Sequence, residues 1–171
     1  MKKHEGMTLM EVLAALLVLT LLVVAVGTSL DLLGRTEGTT RFASESDALA
    51  AVLQTTLEDV LGFGENVAGG SFSNRSYGIV SGTLCVVEGK LCVREAEEAR
   101  PLLGSGVYGD LSVADLQIQF IPPGQSGTVT RPDGSVVSDI PGGVFYVTFR
   151  IENAAGLSRD YETAARLVNP E

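Results

Sequence analysis

An uncharged apolar run near the start of the chain, Val12–Leu30, constrains the fold more than any other feature. It contains no Asp, Glu, Lys or Arg and is rich in Leu, Val and Ala. At about 1.5 Å rise per residue, a helix over this run is long enough to cross the hydrocarbon core of a bilayer. The run therefore predicts a membrane-spanning helix.

The residues upstream of the run distinguish it from an ordinary secretory signal. Such a signal places its small-residue cleavage site after the apolar region, and no Ala-x-Ala-like site follows Leu30. Here the small residue, Gly6, comes first, in the segment Gly6-Met-Thr-Leu-Met-Glu11. Lys2 and Lys3 lie on the same side, so the positive-inside tendency predicts a cytoplasmic N-terminus and an external head.

This segment, followed by the apolar run, resembles the processing signal of type IV pilins and pseudopilins. The resemblance implies that a membrane peptidase cuts between Gly6 and Met7 and that the new N-terminus, Met7, is N-methylated. Glu11 then becomes the fifth residue of the mature chain, where the family carries its assembly glutamate. Two departures from the commonest pattern are Met7 in place of Phe and Gly27-Thr-Ser29 where many major pilins carry a proline.

Glu11 has two physical interpretations. A carboxylate in a membrane helix is costly unless it is protonated, reaches the interface or finds a partner, and the cost falls near the end of the segment. Glu11 is then either a tolerated interfacial acid or a charge that pairs with the free amino group of Met7, on a neighbouring subunit or on the same one. In a filament core such a pair would be desolvated, costly to break and selective for the axial register. We expect the pair.

Length and charge allow one further domain and disfavour nucleic-acid binding. The 171 residues divide into a leader over 1–6, a membrane or filament-core helix over 7–31, an amphipathic continuation over 32–62 and a β-rich head over 63–171. Loss of the leader, with two lysines and one glutamate, would bring the net charge from −9 to −10. Such acidity argues against binding DNA through a basic patch.

Beyond the apolar run, a polar patch with two glycines, Asp31–Thr40, precedes an amphipathic helical pattern. Glycine costs about 1 kcal/mol inside a helix, so the patch is predicted to bend or loosen it. Apolar residues then recur at three- and four-residue spacings and predict a stripe that packs on a sheet of the same chain. The stripe is Phe42, Leu49, Val52, Leu53, Leu57, Val60 and Leu61. Gly62-Phe-Gly64 is predicted to end the helix in a left-handed conformation.

Short β-prone runs separated by turn residues fill the rest of the chain. With the helix they predict an α+β fold, one long N-terminal helix packed on an antiparallel sheet. The predicted strands are Tyr77–Val80, Thr83–Val87, Lys90–Val93, Leu116–Ile121, Gly127–Arg131, Ser135–Ser138, Val144–Ile151 and Arg159–Leu167. Imperfect alternation in Val144–Ile151 predicts burial on both faces. The closing hairpin, with its turn at Asn153–Gly156, and the Leu49–Leu61 helix are similar to those of J-type minor pseudopilins, which implies the type IV pilin fold.

Cys85 and Cys92 lie on either side of Glu88-Gly89. A two-residue hairpin there places the cysteines directly opposite each other, with Cα atoms about 5.5 Å apart in a hydrogen-bonded pair, within the disulfide range. A redox or metal pair would need C-x-x-C spacing or further ligands, and neither is present. Because disulfides persist in exported proteins, we predict a structural disulfide.

Residues that carry catalytic chemistry are scarce. His4 is the only histidine and lies in the leader, so the mature chain would lack Ser-His-Asp, Cys-His and histidine metal sites. The acidic cluster Glu95, Glu97 and Glu98 is predicted to be a solvated face rather than a hydrolase carboxylate pair. We predict no enzyme activity, no metal and no cofactor.

The resemblance predicts a structural minor pilin or pseudopilin of a type IV pilus, type II secretion or competence filament. A J-like subunit would lie at or near the tip and start assembly. The implied partners are a prepilin peptidase, other pilins through the N-terminal helix, the membrane and an inner-membrane assembly platform, with no direct nucleic-acid binding. The implied location is the inner membrane, single-pass, and then the filament at the cell surface. The alternatives are an ordinary shaft subunit and a single-pass membrane-anchored protein with an extracytoplasmic ligand-binding head.

Overall fold

The computed structural model describes residues 9–68, 70–131 and 133–168. Gly6 and Met7, the predicted cleavage site, lie outside these residues. One long α-helix, α1, covers Leu9–Gly62. It is followed by β1 Glu65–Ala68, β2 Ser71–Asn74, β3 Ile79–Val87, β4 Lys90–Glu95, β5 Glu98–Pro101, the 3₁₀ turn Ser105–Val107, β6 Leu111–Ile121, β7 Ser126–Thr130, β8 Val136–Pro141, β9 Val144–Asn153 and β10 Ser158–Arg166.

Three antiparallel sheets are formed by these strands within the described part of the chain. One has five strands in the order β1-β2-β3-β4-β5, one has three in the order β10-β9-β6, and the hairpin β7-β8 makes the last. The architecture is α+β, as predicted, and is consistent with a pilin-like fold. By its internal contacts the chain divides into two compact units, residues 1–41 and 42–171.

The first unit contains the N-terminal part of α1. Every side chain that is described between Leu9 and Arg41 is exposed. The α-helix continues through Gly34 and Gly38, so the loosening predicted for this patch does not interrupt the helix. Helix propensity is a weak preference, and two glycines do not end a helix whose neighbours support it.

The second unit is built around the apolar stripe of α1. All of the predicted stripe residues are buried except Val52, which is 43% exposed and for which the prediction is wrong. The stripe packs against apolar residues of the five- and three-stranded sheets, which include Phe72, Ile79, Leu84, Leu91, Val93, Phe145, Val147, Phe149 and Ile151. Burial of these side chains in one cluster supplies the main stabilisation of the head.

Strand β9 is the central strand of its sheet and is buried on both faces, as predicted. Its odd-numbered residues, from Phe145 to Ile151, belong to the core with α1. Because side chains alternate along a strand, Tyr146 lies on the opposite face. There it joins Ile121 and Val129 in a second, smaller cluster, against which apolar residues of β8 also pack. The β7–β8 hairpin therefore covers part of this outer face.

The helix α1 ends at Gly62, where its end was predicted, but not by the predicted conformation. Neither Gly62 nor Gly64 has a positive φ. Gly64 donates its N–H to the Leu61 carbonyl oxygen at 2.9 Å. A Cβ at residue 64 would lie 2.8 Å from that same oxygen. Close backbone approach, rather than a left-handed conformation, therefore requires glycine at residue 64.

The β3–β4 hairpin has the predicted register, but the predicted disulfide is wrong. Cys85 lies directly opposite Cys92. The turn residues Glu88-Gly89 have φ angles of 51° and 71°, as a type I′ turn requires. Both cysteines are nevertheless free thiols. Alternation from the Val87–Lys90 pair that closes the turn makes this a hydrogen-bonded pair. Cβ atoms in directly opposite pairs are typically about 4.5–5.5 Å apart, and farther in hydrogen-bonded than in non-hydrogen-bonded pairs, whereas a disulfide needs roughly 3.8 Å.

Sequence patterns missed β1, β2, β5 and the first half of β6. The three short strands have four residues each, with at most two apolar residues, too few to show an alternating pattern. In β6 the register shifts between Ala114 and Gln117, and Asp115 has a φ of 49°. This bulge separates the part of β6 that was predicted from the part that was missed.

Candidate functional site: an exposed apolar helix

The apolar part of α1 exposes its large side chains all around the helix. Between Leu9 and Leu33 their exposed fractions run from 41% at Val12 to 80% at Leu9. Soluble monomers rarely expose contiguous apolar patches larger than a few hundred Å². This segment therefore requires an apolar environment, since leaving it in water would forfeit about 25 cal/mol for each Å² of apolar surface.

By length and composition, α1 is able to cross a membrane. Its most apolar stretch has a mean hydropathy of 2.8, and none of that stretch is buried within the structure. A signal sequence near an N-terminus can meet the same criteria of length and hydropathy. Among the described residues, α1 is thus the one helix suited to a bilayer.

The hydroxyl groups within the apolar run are satisfied by the helix itself. Thr20 Oγ1 donates to the Leu17 carbonyl oxygen at 2.8 Å. Thr28 Oγ1 and Ser29 Oγ donate to the Ala25 carbonyl oxygen at 3.0 and 2.8 Å. An unsatisfied polar group in hydrocarbon is costly, and these bonds remove that cost. The three hydroxyl residues are therefore compatible with a membrane span.

Glu11 is the acidic residue in the first turn of α1, and its side chain is exposed. The first turn of a helix carries the positive end of the helix dipole, where a carboxylate is stabilised. The structure thus places the predicted assembly residue at the N-terminal end of the apolar surface. The other two predicted residues of this site, Gly6 and Met7, fall outside the described residues.

Acidic residues beside the stripe tie α1 to the sheets in the second unit. The polar pairs are Asp47 with Arg159 and Tyr161, Glu58 with Thr163, and Asp59 with Tyr77. The hydrogen bond that Tyr77 donates to Asp59, 2.5 Å long, raises the pKa of the phenol. Burial is the main cause of the raised pKa of Tyr161. The partners of these acids lie far away in the chain, so local sequence patterns could not identify them.

On the outer face of the three-stranded sheet, Glu162 holds the β7–β8 hairpin in place. Arg131, just after β7, brings Nε and Nη2 within 2.8 and 2.9 Å of the two carboxylate oxygens. Tyr146 donates a further hydrogen bond to this carboxylate. Hydrogen bonds with Tyr146 and Glu162 raise the pKa of Arg131, and burial foremost raises the pKa of Tyr146. The bidentate geometry is the strong form of an Arg–carboxylate pair.

The acidic cluster of β4 and β5 is only partly a solvated face. Glu97 and Glu98 are exposed, as predicted. Glu95 is half-buried, and its Oε1 accepts the N–H of Val80 at 2.7 Å, so for Glu95 the prediction is wrong. Among the residues that the structure describes, no group of three or more His, Cys, Asp or Glu side chains is arranged to hold a metal ion.

The apolar length of α1 that no described residue covers is a feature that a self-contained domain does not require. The outer face of the three-stranded sheet carries the Arg131–Glu162 pair beside the smaller apolar cluster. Compared with known protein families, with curated proteins and with solved structures, the chain matches none.

Proposed function

We propose that the chain is a structural subunit of the type IV pilin class, a minor pilin or pseudopilin. It is inserted through its apolar helix, cleaved between Gly6 and Met7, and packed by that helix into a type IV pilus, type II secretion or competence filament. A tip position, where the subunit starts assembly, is proposed from the likeness of its closing hairpin to that of J-type pseudopilins.

The observation that carries this proposal is the change in α1 at Phe42. Before Phe42 every described side chain is exposed, and from Phe42 onward a stripe of the same helix is buried against sheets. A single helix thus combines an apolar surface that nothing in the described chain covers with a stripe anchored in a folded head. Lipid before assembly, and neighbouring helices after it, would cover the first part.

The proposed location and partners follow from the same helix. The chain crosses the inner membrane once, with Lys2 and Lys3 on the cytoplasmic side and the head outside. A prepilin peptidase acts on the leader, the assembly platform receives the processed chain, and other pilins contact the helix. A membrane-anchored protein with an uncleaved helix and a ligand-binding head is the competing function.

Cleavage by a prepilin peptidase tests the proposal directly. Incubation of the membrane-inserted chain with the enzyme and S-adenosylmethionine as methyl donor is expected to remove residues 1–6 and to leave a methylated Met7, both visible by mass spectrometry of the intact protein. Gly6→Leu is expected to leave the precursor uncleaved, because the peptidase must approach the backbone closely at this residue.

Gly38→Leu is the matched control for that experiment. It makes the same change in exposed helix, where no atom lies within 4 Å of the added Cβ, and it should be cleaved normally. An intact N-terminus on the wild-type chain would favour the uncleaved anchor, and normal cleavage of the Gly6 variant would exclude the proposed site.

Replacement of Glu11 tests the proposed contact with the Met7 amine. Glu11→Ala is expected to insert and to be cleaved, because loss of a charge makes the helix more apolar. It leaves the ammonium unpaired in the filament core, at a cost of about 3 kcal/mol, so incorporation into filaments should fall about a hundredfold. Quantitative blotting of sheared filaments measures this fraction.

Glu37→Ala, also in exposed helix but beyond the apolar run, is the control with the same change in charge. It should assemble as the wild type does. Equal assembly of the Glu11 and Glu37 variants would show that the contact is absent or dispensable.

A further inference from the structure

A polar cleft lies on the outer face of the three-stranded sheet, beside the β7–β8 hairpin. Its volume is about 210 Å³, and it is lined by Gln117, Ile118, Gln119, Thr130, Tyr146 and Thr148. Neither the apolar helix nor the assembly residues contribute to this cleft. A proposed filament role therefore does not account for it.

Thr148 gives the cleft a hydrogen-bonding group without a partner. The residue is only 3% exposed, and its Oγ1 is the one buried side-chain polar atom in the described part of the chain that makes no hydrogen bond. Thr163, on the neighbouring strand β10 but on the other face, donates its hydroxyl to Glu58 Oε1 at 3.1 Å. Buried polar groups are normally satisfied, so an unsatisfied one indicates a missing partner.

The side chains around Thr148 are neutral and have hydrogen-bonding capacity to spare. Gln117, directly opposite Thr148 on β6, is exposed, and its carboxamide makes no side-chain hydrogen bond within the described chain. Residues directly opposite each other in an antiparallel pair lie on the same face, so the Gln117 side chain neighbours Thr148 in the cleft. Gln119 donates Nε2 to the Thr128 carbonyl oxygen at 2.9 Å, which leaves its Oε1 as an acceptor.

The charges nearest to the cleft are already neutralised. Arg131 and Glu162, which flank its edge, are joined by two hydrogen bonds of 2.8 and 2.9 Å. An anion or a cation in the cleft would thus find no free counter-charge among the lining residues. Amides and hydroxyls instead match a ligand whose own groups both donate and accept hydrogen bonds.

We propose that this cleft binds a neutral sugar ring. Each ring hydroxyl can donate and accept, so one hydroxyl can satisfy Thr148 Oγ1 while its neighbours bind the Gln117 and Gln119 amides. A single water occupies about 30 Å³, far less than the cleft of about 210 Å³. An extended peptide needs a longer groove than a cleft of about 210 Å³ provides.

Binding is tested with the full chain in nanodiscs of zwitterionic lipid, which avoids sugar-based detergents. The probes are the methyl glycosides of glucose, galactose and mannose, followed by saturation-transfer NMR and by the Thr methyl signals. At least one glycoside is expected to bind with a dissociation constant on the order of 1 mM, as a ligand of this size allows. If a trisaccharide of the sugar that binds best binds more tightly than the single glycoside, the ligand belongs to a polysaccharide. If the trisaccharide and the single glycoside bind equally, the ligand is a free sugar.

Thr148→Val removes the hydroxyl and keeps the shape, and it should weaken glycoside binding at least tenfold. Gln117→Ala, at an exposed position, should weaken it in the same direction. Thr163→Val is the matched control: it removes a satisfied hydroxyl from the other face and should leave the affinity unchanged. The affinities of the three variants are compared with that of the wild type.

Three outcomes would overturn the proposal. One is no saturation transfer to any of the glycosides, which would leave trapped water as the partner of Thr148. Another is equal affinity in the wild type and the Thr148 and Gln117 variants. The last is binding of glucuronate, inorganic phosphate or triglycine as tight as that of the best glycoside, which would contradict a site for neutral sugars.

Discussion

Leu21→Lys is expected to remove the chain from the membrane. Leu21 lies near the middle of the apolar run, with 62% of its side chain exposed. A lysine at the centre of a membrane helix costs about 3 kcal/mol, so the inserted fraction should fall about a hundredfold. Carbonate extraction of membranes, with the chain quantified in pellet and supernatant, measures this fraction.

Val80→Lys is the matched control for this variant. It introduces the same charge at a side chain that is 84% exposed on β3 of the head, where no apolar environment is expected. Its membrane fraction should equal that of the wild type. A Leu21 variant that remains in the pellet to the same extent as the Val80 variant would contradict a membrane span over this run.

The features of the fold that local patterns determine were predicted from the sequence. The burial stripe from Leu49 to Leu61 follows helical periodicity, with Val52 as the exception. The Cys85–Cys92 register follows from the turn chemistry of Glu88-Gly89, whose two residues have positive φ angles. Neither inference needs knowledge of distant parts of the chain, which is why both could be made.

Features that depend on distant residues were missed. Strands β1, β2 and β5 are too short to show an apolar pattern, and their pairing partners rather than their own residues make them strands. The Arg131–Glu162 pair joins residues that are 31 positions apart. The Thr148 hydroxyl likewise lacks a partner because of which face of β9 the β7–β8 hairpin covers. The spacing of residues along the sequence does not reveal that face.

Register alone did not determine the chemistry of the cysteines. Placing Cys85 opposite Cys92 was correct, yet the thiols remain free. In an antiparallel ladder, hydrogen-bonded and non-hydrogen-bonded pairs differ in the separation of their Cβ atoms. The prediction used the Cα distance alone, and the Cβ distance decides whether a disulfide can form.

Phe145→Ala is expected to destabilise the head more than any other single truncation considered. The Phe145 side chain is 0% exposed, and its ring contacts those of Phe72 and Phe120, with centroids 6.3 and 4.7 Å away. Removing a fully buried phenylalanine costs about 3–5 kcal/mol, because its transfer energy is lost and a cavity remains. Native domains have a free energy of unfolding of about 5–15 kcal/mol, so the variant should be at best marginally folded.

Urea unfolding of the full chain in nanodiscs, followed by near-ultraviolet circular dichroism of the tyrosines, measures this loss. Phe63→Ala is the matched control, since Phe63 is 55% exposed and its truncation should cost well under 1 kcal/mol. Similar unfolding midpoints for the two variants would mean that β9 does not pack against α1 and β2 as described. A large difference would instead show that the apolar cluster shared by α1 and the sheets stabilises the head. This conclusion would hold whatever the N-terminal half of the helix contacts.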